Sequence, residues 1–152
     1  MKYKGTLLAV RDMRKSLDFY RTVFGLEIVN DFGANKELTG GIFLQADELW
    51  RRFIERDVEY GNNDTELYFE EDDMDAFLKK LESIGADYVH IPKEHDWGQR
   101  TVRIYDPDRH IIEIGENMTE VVKRFAAAGM SVEEIALRMD VPPEYIEECI
   151  GK

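Results

Sequence analysis

The chain has 152 residues, 43% of them hydrophobic, with 20 basic against 32 acidic side chains and a net charge of −12. That length and that spread of aromatic and branched residues favour one main domain with a real core, and they exclude a disordered chain. So acidic a surface repels nucleic acid and anionic membranes, and no run approaches the roughly 20 apolar residues of a membrane-spanning helix.

The N-terminus leads straight into an amphipathic pattern and shows no signal-peptide apolar core. Leu7 to Val10 is a short apolar run that predicts a strand. Asp12 is placed to cap a helix carrying Met13, Leu17, Tyr20 and Val23, and Gly25 suits the left-handed position after it. Leu26 to Asp31 reads as a strand and Gly33 to Asn35 as a turn. Glu37 to Thr39 and Gly41 to Gln45 read as two further strands. Asp47 to Asn63 joins the two halves of the chain, and its Trp50, Phe53 and Ile54 predict a partly packed helical segment.

The second half repeats the order of the first. Glu66 to Glu70 predicts a strand, and Asp72-Asp73 open a helix with Met74, Phe77, Leu78, Leu81 and Ile84 at helical spacing, closed by Gly85. The acidic run Glu70 to Asp73 is therefore read as carboxylates favoured at a helix N-terminus, not as a cation site. Tyr88 to Ile91 reads as a strand and Pro92 to Gly98 as a loop. Thr101 to Tyr105 and His110 to Ile114 form a hairpin around Asp106-Pro107-Asp108-Arg109. The order strand, helix, three strands thus occurs twice.

The tail reads as three helices. Met118 to Ala128 carries Val121, Val122 and Phe125 on one face and ends at Gly129. Ser131 to Glu134 has the pattern of a capping box, and a last helix runs from Glu144 to Ile150. The stretch SVEEIALRMDVPPEYIEECI resembles a helix-turn-helix unit. Its last helix carries Glu144, Glu147 and Glu148 and no basic residue, so DNA phosphate is not its partner. The tail is expected to pack on the body, on a second subunit or on another protein. The single cysteine, Cys149, can form no internal disulfide, which fits a cytoplasmic location.

Two segments carry a family resemblance. Leu8 to Leu26, LAVRDMRKSLDFYRTVFGL, resembles the first strand and helix of the vicinal-oxygen-chelate superfamily of glyoxalases, bleomycin resistance proteins and extradiol dioxygenases. Trp97 to Ile114, WGQRTVRIYDPDRHIIEI, resembles that superfamily's closing strands and their turn. The resemblance implies an α+β fold of paired βαβββ modules forming a curved mixed sheet around a cavity, with a C-terminal helical extension. The domain is expected over 1–116, with modules at about 4–46 and 64–116, and the helical tail over 117–152. The turn has Arg109 where the family has glycine, so a different turn type is expected.

Strand alternation then assigns residues to faces. Ile112 and Ile114, Leu67 and Phe69, Val102 and Ile104, and Ile42 and Leu44 are expected to face helices. Glu113, Glu66, Tyr68, Arg103, Tyr105, Phe43 and Gln45 are expected to face the cavity. Metal-dependent relatives use four inward ligands. The resemblance places these at Gly5, at Phe43 or Gln45, at Glu66 and at Glu113. A divalent metal on Glu66, Glu113 and Gln45 would be an incomplete site, because Gly5 has no side chain to offer. In the competing arrangement Arg103 bridges the two glutamates in place of the ion.

Trp97 and Arg100 stand where the family lines its pocket mouth. They read as a stacking surface with a charged donor, or as loop packing with a surface ion pair. His95 borders the same loop. The resemblance implies a small-molecule lyase, isomerase or oxygenase, with Glu113 or Glu66 assisting proton transfer and a metal polarising the substrate. Metal-free small-molecule binding lined by Phe43, Tyr68, Trp97, Tyr105 and Arg103, and a regulatory role for the tail, stand beside it. A homodimer is expected, with neither nucleic acid nor membrane as partner.

Overall fold

The protein is described here by a computed structural model covering residues 1–151, and it is a mixed α+β fold. Two compact units are resolved: residues 1–65 with 105–110, and residues 66–104 with the chain from 111 onward.

The first unit runs β1 (Thr6–Val10), α1 (Met13–Phe24), β2 (Ile28–Asp31), β3 (Asn35–Leu38), β4 (Ile42–Ala46) and α2 (Asp47–Ile54). The Asp12 side chain accepts the Lys15 N–H and so satisfies one orphan donor at the start of α1. Gly25, at φ 67°, turns the chain out of the helix. The sheet has the order β1-β4-β3-β2, with β1 parallel to β4 and the other pairs antiparallel. Tyr20 and Val23 on α1, and Leu8, Val10, Leu38, Ile42 and Leu44 on the sheet, are all buried. Burial of each aliphatic side chain contributes about 1.5–3 kcal/mol. Of the connecting segment expected to be helical over 47–63, only Asp47–Ile54 is helix, and within it Trp50 is half-buried while Phe53 and Ile54 are exposed.

The turn Asp106 to Arg109 belongs to this unit. Contrary to the expectation of another turn type, Arg109 keeps a left-handed φ of 74°. Local interactions offset that strain. The Asp106 carboxylate accepts the N–H groups of Asp108 (2.9 Å) and His110 (2.8 Å) and the Tyr20 hydroxyl (2.9 Å). The Arg109 guanidinium lies 3.5 Å over the Tyr105 ring.

The second unit runs β5 (Glu66–Glu71), α3 (Met74–Ile84), β6 (Tyr88–Glu94), β7 (Arg100–Tyr105), β8 (Ile111–Glu116), α4 (Met118–Ala127), α5 (Val132–Met139) and α6 (Pro143–Ile150). Its sheet has the order β5-β8-β7-β6, with β5 parallel to β8. Strand β6 continues to Glu94, through Pro92, where a loop was expected. It is an edge strand, bulged between His90 and Lys93, so a residue without an N–H interrupts no obligatory ladder bond. Met74, Phe77 and Leu81 of α3 and Val102, Ile104, Ile112 and Ile114 of the sheet are buried.

The three tail helices share a core of Val121, Val122, Phe125, Ile135, Met139, Ile146 and Cys149. The Ser131 hydroxyl and the Glu134 carboxylate form a reciprocal capping box on α5. Of the partners open to the tail, the body of the second unit is one. Arg124 donates to Glu116 and to the Gly98 carbonyl, and Arg138 donates to Glu94 and to the Asp96 carbonyl. Among the described residues no helix is long and apolar enough to cross a membrane.

Candidate functional site

Alternation along β5 leaves Glu66, Tyr68 and Glu70 on the more open row, with Leu67, Phe69 and Glu71 partly covered. The parallel register sets Tyr68 beside Glu113 and Glu70 beside Gly115. Arg103 on β7 reaches into this row. Its Nε donates to Glu66 Oε2 at 2.8 Å and its Nη2 to Glu66 Oε1 at 3.3 Å, while Nη2 also forms an ion pair with Glu113. The Glu113 side chain is only 12% exposed, against 26% for Arg103 and 39% for Glu66. One planar guanidinium therefore bridges two carboxylates at once and leaves the trio net negative, the geometry that favours arginine over lysine.

His90 completes the cluster. Its Nδ1 lies 2.8 Å from the Ile91 carbonyl, and its Nε2 lies 3.3 Å from Arg103 Nη1. A proton on Nδ1 satisfies both contacts, leaving Nε2 to accept from arginine. The Tyr68 ring is 52% exposed. Its hydroxyl donates to Glu70 Oε1 (3.2 Å) and lies 3.4 Å from the Gln99 amide nitrogen. Desolvation holds that phenol above its ordinary pKa. The Gln99 bond opposes this, and Glu70 adds to it.

Trp97 and Arg100 are committed elsewhere in the second unit. The Trp97 ring stacks on His95 at 4.2 Å, and its indole N–H donates to Gln99 Oε1 at 3.3 Å. His95 Nε2 lies 3.1 Å from the Thr101 hydroxyl. Desolvation, then Lys93 and Arg103, lower its pKa. Arg100 grips the buried Glu116 through Nε (3.1 Å) and Nη2 (2.6 Å) and reaches Asp75 through Nη1. Burial pushes the Glu116 carboxyl up, but bonds from Arg100 and Arg124 outweigh it and hold the group below its ordinary range.

Sequence reasoning missed Glu116, Gln99 and the part His90 plays. One signal for Glu116 was present: it continues the helix-facing row of Ile112 and Ile114. An acid in a buried row demands cations.

Phe43, Gln45 and Tyr105 fall in the first unit. Gln45 is buried, with Nε2 donating to the Ala34 carbonyl and Oε1 accepting from Asn35, both at 3.0 Å. Phe43 is half-buried, and Tyr105 lies under Arg109.

Residues 3–119 match the sequence profile of the glyoxalase-like domain. The chain belongs to the glyoxalase-like family, within the vicinal-oxygen-chelate superfamily. Solved structures agree. A protein of unknown function from Agrobacterium tumefaciens strain C58 is 32% identical, over 77% of this chain and 94% of that one, with a TM-score of 0.68. The lactoylglutathione lyase of Agrobacterium tumefaciens is 24% identical, over 77% of this chain and 94% of that one, with a TM-score of 0.61. The fosfomycin resistance protein FosX of Listeria monocytogenes is 19% identical, over 80% of this chain and 97% of that one, with a TM-score of 0.58. These last two show the shared fold alone.

Members of the superfamily often hold a divalent metal, and the donors of this glyoxalase-like chain do not fit one. A Cβ at Gly5 would stand 2.0 Å from the Gly41 carbonyl oxygen, so the first ligand position has no room for a side chain. Both ends of the Gln45 amide are already bonded. Glu66 and Glu113 are held by Arg103. Among the described residues no group of three His, Cys, Asp or Glu side chains is placed to hold an ion.

Proposed function

We propose that this glyoxalase-like protein binds a small organic molecule without a metal, on the open row of the second sheet. The observation that carries the reading is the single guanidinium of Arg103 set between Glu66 and Glu113. Arginine stands there as the resident cation. Glu66, Glu70 and Glu113 carry three negative charges against that one positive charge, and the exposed Tyr68 ring lies among them. A face that is net anionic and carries an open aromatic ring suits an amine or other organic cation with an apolar body. The test is calorimetric titration with matched aromatic amines and aromatic carboxylates. Saturable amine binding that Tyr68→Ala and Glu113→Gln weaken supports the reading. Preference for the carboxylates sinks it.

A second reading keeps a lyase or isomerase activity, with Glu113 carrying the proton. It is favoured by the shelter of that carboxylate beside an exposed ring. Turnover of a candidate substrate that Glu113→Gln abolishes, while Tyr68→Ala only weakens binding, separates catalysis from sequestration.

A further inference from the structure

The tail sorts its charges by face. Arg124 and Arg138, two of its four basic residues in sequence, point at the body and are bound by Glu116, Glu94 and the backbone carbonyls of Gly98 and Asp96. Lys123 is paired with Glu120. Most of the charged side chains exposed on α5, α6 and the turn between them are acidic, with Leu137, Tyr145 and Ile150 open beside them. Glu133, Asp140, Glu144, Glu147 and Glu148 are all exposed or nearly so. Between α5 and the turn into α6 lies an open groove of about 500 Å³, lined by Ala136, Leu137, Val141 and two prolines, with Glu133 and Asp140 on its edge. Among the described residues none that lines it is basic. Leu137, on its wall, is 85% exposed.

Leu137 is not among the residues of the tail's own core. The capping box fixes the start of α5, and Phe125 packs against Gly98 so closely that a Cβ there would come within 2.1 Å of its ring.

We infer that this groove is a docking site for a protein segment that presents a large apolar side chain flanked by Lys or Arg. The apolar anchor fills the groove beside Leu137, and the basic flanks meet Glu133 and Asp140. Charge complementarity selects this occupant. Acidic segments and nucleic acid are repelled by the same edge, and a second copy of this acidic face would oppose itself. The groove shares no lining residue with the ligand-binding row proposed above, so either proposal can fail without the other.

The test is selection from a random displayed-peptide library on the whole protein, with Leu137→Asp as the counter-selecting surface. Enriched peptides are expected to carry an apolar residue between basic ones. Calorimetry on a synthetic copy is expected to show at least about tenfold weaker binding to Leu137→Asp and to Glu133→Lys, and weakening with salt. Circular dichroism checks that both variants fold. Enrichment of neutral or acidic peptides, or none that depends on Leu137, overturns the inference. So does sedimentation showing a dimer that Leu137→Asp dissociates, since a second copy is then the occupant.

Discussion

At the scale of single residues, two arginine–carboxylate clusters decide most of what this chain can do. Removing Arg103 leaves Glu66 and the largely buried Glu113 without their cation. Arg103→Ala is expected to destabilise the fold by about 1–3 kcal/mol, below the cost of breaking a fully buried pair because the site is partly open. Arg103→Lys is expected to recover only part of this, since a point charge cannot fork to two carboxylates. Urea unfolding at neutral pH measures both. The Glu116 cluster carries a pH signature. Its folded pKa is depressed below the ordinary 4.5, so its contribution is fully present above that value and is lost as pH falls through the depressed one. Glu116→Gln is expected to cost about 2 kcal/mol near pH 7 and progressively less in acid, where the two proteins' unfolding curves converge. A loss that stays constant with pH contradicts the assignment.

At the scale of elements, the clearest coupling is between the β6–β7 connection and α4. Gly98 has a φ of 93°, and a Cβ there would stand 2.1 Å from Phe125. Gly98→Ala is therefore expected to displace Phe125 and cost about 2–3 kcal/mol, with faster proteolysis of the tail as the readout. Unchanged tail protection contradicts this packing.

The elements that could be read from the sequence were those with local punctuation. Asp12, Asp73 and Ser131 all cap the helices they were expected to cap, and Gly25 and Gly85 end two of them. What escaped depended on neighbours. Pro92 stays inside β6 because that strand is at a sheet edge. Arg109 holds a glycine's conformation because Tyr105 and Asp106 support it. Alternation placed Glu66, Tyr68, Glu113 and Arg103 toward one side, and the expected bridge from Arg103 to both glutamates is the pairing found; the part of His90 was not legible, because it depends on the bulged register between β6 and β7. Trp97 was placed on the right loop beside His95, but its stacking on that ring, its bond to Gln99 and the grip of Arg100, which opens β7, on Glu116 were not foreseen.

At the scale of the whole molecule, the net charge of −12 and the arginine-bridged pair point the same way. Cationic partners are favoured over anionic ones, for the small ligand at the second sheet and for the segment that docks on the tail. Both expectations rest on an excess of carboxylates over basic side chains. The most direct check is elemental analysis of the untagged protein after equilibration with zinc, nickel and manganese and removal of free ion. The account predicts substoichiometric metal, the same in wild type and in Glu113→Ala. One tightly held ion per chain, lost in Glu113→Ala, would contradict it.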